Sequence, residues 1–176
     1  MGSEAHRKGA KMNKINLWKK IVNVLYWYNR ENKRMEYCNV FDVAATIINY
    51  SKENKKQITN LQLQKFLYYI QREYININNQ LLFEEEFCAW DYGPVIYPIW
   101  KEYAKNSRYP IMDIESGNII QDSDKKNLIE HQTAKLLQEN IWDLVDKTHE
   151  EFPWKTAKDN DEDIIKNEYL FEGYVS

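Results

Sequence analysis

Two residues in this chain are spaced for acid–base chemistry. Asp146 and His149 stand three apart in a stretch that reads as helix, which would put both on one face. A histidine oriented by a carboxylate is a general base. With Tyr92 nearby, in the aromatic run Ala89-Trp90-Asp91-Tyr92-Gly93-Pro94-Val95, the pair would make a hydrolase site. The same spacing also fits a histidine that stabilises a helix C-terminus, and this plainer reading is preferred. Cys88 and His149 could in principle pair as nucleophile and base, but no local signature accompanies them. His149-Glu150 lacks the second histidine of a zinc-protease motif. No G-x-S-x-G elbow, Walker loop or dinucleotide fingerprint occurs. Glu84, Glu85 and Glu86 are consecutive, cannot all face one substrate, and read as a solvated face. Trp90 and Trp154 could stack on bases, but without interleaved Arg or Lys they read as core residues. No catalytic residue, metal or cofactor is therefore expected.

Bulk properties narrow the class. The 176 residues are 43% hydrophobic and 29% charged, which suits one folded domain and excludes a disordered chain. The aromatic share of 14%, with six Trp and thirteen Tyr, supplies both core area and interface anchors. Cys38 and Cys88 lie in no C-x-x-C pair and read as reduced packing residues. No apolar run reaches membrane length and no secretory segment is present, so the cytoplasm is expected. Residues 1–11 read as an added leader, with Met12 as the natural start. Residues 12–60 carry a net charge of +5 and residues 61–176 a net −10. Such an acidic chain is a poor partner for nucleic acid. The charge reads as solvated faces, or as an acidic surface for a basic partner.

The elements that would position these residues are mostly helical. Ile15–Asn29 is a broadly apolar helix candidate, forming with its flanks an N-terminal extension over 12–38. Asn39 caps a second helix striped by Val40, Val43, Ala44, Ile47 and Ile48, followed by a loop over Ser51–Gln57. Thr59 and Gln62 form a capping box for a third, whose stripe is Leu63, Phe66, Leu67, Ile70, Tyr74 and Ile77. A short strand is expected near 84–90, then a break at Tyr92-Gly93-Pro94, then a short helix with Pro98 in its first turn. A small hairpin is expected over 111–120, one long helix over Ser123–Lys147, a turn at Pro153, and an acidic helix over Glu162–Phe171. The expected fold is mainly α, a single-domain helical bundle with a small β element.

Three ordered blocks carry a resemblance. They are ITNLQLQKFLYYIQ (58–71), LLFEEEFCAWDYGPVIYPIWKEY (81–103) and THEEFPWKTA (148–157). Together they resemble the Panacea domain, the SocA-like antitoxin domain catalogued as phage-associated and found on prophages. The likeness covers roughly Val40 to Tyr169, so 39–176 is expected to be this domain. The matched positions are Leu63, Gln64, Lys65, Trp90, Tyr92, Gly93, Pro94, Pro98, Thr148, His149, Pro153 and Trp154, and the resemblance implies that they define the fold. It implies no catalytic set. It also implies an antitoxin of a toxin–antitoxin system, which neutralises a cognate protein toxin by binding. An alternative is an adaptor that delivers its toxin to an ATP-dependent protease. Toxin contacts are expected from the first helix, at Trp18, Tyr26 and Trp27. The segment 138–147 departs from the family by reading as unbroken helix where members carry a Gly/Ser break.

Overall fold

Each helix start is written into the chain by a capping side chain or a proline. The structure, a computed structural model, describes residues 37–172. The chain divides into Met1–Glu36 and Tyr37–Ser176, and the expectations for the first helix, including Trp18, Tyr26 and Trp27, fall outside the described residues. Asn39 accepts from Phe41 N and opens α1, Val40–Glu53. Its expected apolar stripe is buried. The helix runs on to Glu53, into the stretch Ser51–Gln57 expected as loop, and the buried Ser51 hydroxyl is satisfied by bonding back to Ile47 O. Thr59 and Gln62 form the expected capping box on α2, Asn60–Asn78, a motif worth about 1 kcal/mol. Ile77 is not in the core. It is 60% exposed, because residues 76–79 project past the elements that cover the rest of α2.

The β element is a three-stranded antiparallel sheet of order β2–β1–β3, comprising β1 Phe87–Trp90, β2 Gly93–Val95 and β3 Ile164–Ile165. A two-residue turn, Asp91-Tyr92, joins β1 to β2. Pro94 is tolerated because β2 is an edge strand. Pro98 then sits in the first turn of α3, Tyr97–Glu102, as expected.

Three expected elements are replaced. No hairpin forms over 111–120; an isolated bridge joins Pro110, just before it, to Thr59. Outside partners take this segment's backbone groups: Ile111 N bonds Ile58 O, Asn118 N bonds the Asp42 carboxylate, and Ile120 N bonds the Thr46 hydroxyl. The long helix breaks into α4, Ser123–Leu136, and α5, Ile141–Glu150, because Asn140 caps a new helix by accepting from Trp142 N. Residues 137–140 thus supply a break where the sequence reads as continuous. Pro153 does not merely turn the chain; it stands in the first turn of α6, Phe152–Asp159. The acidic helix over 162–171 is instead β3 followed by a 3₁₀ turn, Asn167–Phe171.

Helix α2 lies at the centre and packs against α1, α3, α4, α5, β2 and the C-terminal 3₁₀ turn. Several of its polar residues are buried with the apolar ones: Gln64, Lys65, Gln71 and Arg72 are all at most 2% exposed. Gln71 shows why. Its carbonyl accepts from Leu82 N and Phe83 N, and its amide donates to Phe83 O, all out of water. Gln71→Leu would strand these backbone groups, so the variant should lose roughly 3 kcal/mol of stability, measured by urea unfolding.

Candidate functional site

The matched positions converge where α2, the β1–β2 hairpin and the α5–α6 junction meet. Lys65 is fully buried, and its Nζ donates to Pro94 O at 2.9 Å. Burial holds its ammonium well below the usual lysine range, at about 7. Beside it Gly93 has φ of +89°, a region L side chains rarely adopt. A Cβ built there would collide with Thr148 Oγ1 and lie 2.7 Å from Lys65 Nζ. Thr148 is buried and donates to Val145 O at 2.7 Å. Gly93 is therefore the gap through which a helix, a strand and α5 approach.

Next to this contact Gln64 accepts from Ile96 N at 2.9 Å and donates to Asn60 Oδ1, while Asn60 Nδ2 donates to Trp100 O. The second strand at Pro94 and the entry to α3 at Ile96 are thus both bonded to α2. Further along α2, Tyr68 OH donates to Glu151 at 2.8 Å, and Arg72 Nε lies 3.5 Å from the same carboxylate. Burial raises the Glu151 carboxyl, against the lowering pull of Tyr68 and Arg72. Arg72 Nη1 also donates to Leu170 O and Glu172 O, holding the C-terminal 3₁₀ turn.

The Asp146–His149 pair is not assembled. Asp146 is exposed and makes no hydrogen bond with His149. His149 sits in the last turn of α5 and stacks on Trp154 at 4.1 Å between ring centroids, with Nε2 buried and unpartnered. Its position is the helix-terminal one. Tyr92 turns away to meet Trp142, ring to ring at 6.0 Å. Trp90, expected in the core, is 36% exposed; Trp154, half-buried, supports it from behind by donating Nε1 to Trp90 O at 3.0 Å. Among the described residues no group of three or more His, Cys, Asp or Glu side chains gathers to hold a metal, and no helix is long and apolar enough to cross a membrane.

Outside the buried contact lies a cleft of about 350 Å³, walled by Trp90, Tyr92, Val95 and Trp100 over a floor of Asn60 and Gln64. Its chemistry is burial of apolar surface. The model of the family described as antitoxin SocA-like, Panacea domain, matches residues 63–155, just over half of the chain. The chain belongs to this family. The matched stretch lies within the expected span, from Leu63 at the start of the buried face of α2 to Lys155 in α6. No curated protein and no solved structure matches the chain.

Within this SocA-like domain, residues not picked out from the sequence do comparable work: Asn60, Gln71, Arg72 and Glu151 join segments, and Tyr97, Trp100 and Trp142 extend the aromatic surface. The signal for the first group was present. Polar residues at 60, 64, 68, 71 and 72 keep helical spacing along the buried side of α2. The aromatic group gave none, since the aromatics meet only once the hairpin and α5 are in place.

Two outcomes follow. Gly93→Val should cost roughly 3–5 kcal/mol, combining strained φ with overpacking, read as a lowered urea midpoint. Lys65 also makes stability depend on pH. The folded protein releases this proton near pH 7, whereas the unfolded chain keeps it to about pH 10. The unfolded state binds more protons between those values, so stability rises with pH across that window. Between pH 7 and pH 9 the wild type should therefore gain more stability than Lys65→Met, by on the order of 1–2 kcal/mol in paired urea titrations.

Proposed function

We propose that this protein is an antitoxin that neutralises a cognate protein toxin by direct binding in the cytoplasm. The observation that carries this reading is the family match, which runs from the central helix to α6 and takes in the hairpin. The fate of the polar groups supports binding over catalysis. Lys65, Thr148, Gln64 and Glu151 are spent on internal bonds that hold the scaffold, and Asp146 and His149 stand apart. What the scaffold offers a partner is surface, including large exposed aromatics. The expected contacts at Trp18, Tyr26 and Trp27 lie outside the described residues and remain part of the proposal.

Expressed alone, the product of the adjacent gene should stop growth; co-expressed with this protein, it should not. The two should co-purify as a stable complex, with an interface on the order of 1,600 Å². The toxin's half-life should be unchanged by the antitoxin, which separates neutralisation by binding from delivery to a protease. An adjacent product that is harmless alone, or that stays toxic beside this protein, would sink the reading.

A further inference from the structure

Burial of apolar surface is most of the cleft's chemistry, but its floor adds hydrogen bonding. A side-chain amide carries two N–H groups. Gln64 spends one on Asn60 Oδ1, and Asn60 spends one on Trp100 O. One N–H of each amide is left without a partner among the described residues, on side chains only 1% and 5% exposed. Buried polar groups are matched by hydrogen-bond partners. Both amides line the cleft, so the missing acceptor is one that a ligand supplies.

The walls favour a flat ring. Trp90 and Trp100 meet edge to face, with 4.9 Å between centroids and 75° between planes, so they form a corner and not a sandwich. A planar ring laid on one indole meets the other at a steep angle, and both are favoured aromatic geometries. The corner is preformed, because Gln64 holds Ile96 N and Asn60 holds Trp100 O, at the two ends of the first turn of α3. Its volume of about 350 Å³ stands at the small end of ligand pockets, roughly 300–1,000 Å³, with room for one small molecule and not for a helix.

Unspent positive charge stands beside it. Ala104 and Ser107 line the cleft; Lys101 lies three residues before Ala104, and Arg108 directly follows Ser107. Both cations are exposed, and neither forms an ion pair among the described residues. The other charges nearby are already matched, Lys105 with Glu115 at 2.9 Å and Asp91 with Lys158 at 3.5 Å. Base stacking at Trp90 lacks interleaved Arg or Lys in the sequence; the fold brings Lys101 and Arg108 from a later segment.

We propose that this cleft binds a mononucleotide. The base lies in the Trp90–Trp100 corner, its ring nitrogens or carbonyl oxygens accept from Gln64 and Asn60, and its phosphate reaches Lys101 and Arg108. Three separate features select this ligand. An aliphatic group would waste the ring faces, a hydrocarbon ring would leave the amides unmatched, and an uncharged ligand would leave the cations unused.

The purified protein is titrated calorimetrically with the four ribonucleoside monophosphates, with their nucleosides and with inorganic phosphate. At least one nucleotide should bind with a Kd on the order of 100 µM. Its nucleoside, and phosphate alone, should each bind at least about tenfold more weakly. Lys101→Ala/Arg108→Ala changes two exposed side chains and should weaken the nucleotide about tenfold while leaving the nucleoside unchanged. Ala104→Trp, at an exposed position lining the cleft, should fill it and abolish binding, with helical circular dichroism and urea midpoint as in the wild type. Ile77→Trp, exposed on α2 and outside the cleft, should bind as the wild type does.

Failure of all four nucleotides to bind the folded wild type at millimolar concentration overturns the proposal. So does binding that survives in a folded Ala104→Trp, or a nucleotide affinity unchanged by Lys101→Ala/Arg108→Ala, which decides alone if Ala104→Trp does not fold. A single-stranded tetranucleotide bound more than about tenfold tighter than any mononucleotide would assign the cleft to nucleic acid instead. No toxin enters these titrations, so none of the outcomes bears on the antitoxin reading.

Discussion

The fold depends on hydrogen bonds from the buried side chains of one helix to the backbone of segments that have little secondary structure of their own. Helix α2 could have been an apolar rod. Instead Gln64, Lys65, Gln71 and Arg72 reach out of it in turn, to Ile96 N, to Pro94 O, to the backbone at Leu82 and Phe83, and to the carbonyls of Leu170 and Glu172. A buried backbone group without a partner costs of order 1–3 kcal/mol. Short strands and loops can lie against α2 only because these side chains supply the partners that a longer sheet would otherwise provide.

This arrangement explains why the interior tolerates ionisable groups. Lys65 is sealed in without a carboxylate partner, and burial pulls its ammonium down to about 7. Arg72 and Glu151 are instead buried as neighbours, with Tyr68 donating to the same carboxylate. The two solutions sit about two turns apart on one helix. The first fixes the hairpin, and the second fixes the α5–α6 junction and the C-terminal turn. The aromatic cleft lies just outside the first, so Gln64 and Lys65 fix the backbone beside which its walls pack.

Much of this was legible in the residues, for local reasons. Asn39, the Thr59–Gln62 box and Pro98 act within one turn, and the structure places a helix start at each. The three motif blocks sufficed to identify the family. What stayed hidden depends on contacts distant in sequence. Ile111 and Ile120 look like alternate strands of a hairpin, yet their backbone is claimed by Ile58 and Thr46. Ile164 and Ile165 look like part of an acidic helix, yet β1 offers them a ladder and Arg72 fastens the residues beyond. Asn140 is a cap hidden in a run of helix formers, and periodicity alone passes over it. The exposure of Trp90 follows from its place on a hairpin whose second strand reads as punctuation.

A carbonyl oxygen is the same group whatever side chain its residue carries. Because Lys65 and Arg72 grip the chain by its main-chain oxygens, they hold positions and not identities. Asp91, at the exposed tip just before the gripped segment and tied only to the half-exposed Lys158, is thereby released from any duty to the interior. Replacing it redraws a patch of the outer face without asking the framework to be rebuilt. The grip on the main chain thus divides the molecule into a framework that fixes where the backbone runs and a tip whose side chain is left to face outward.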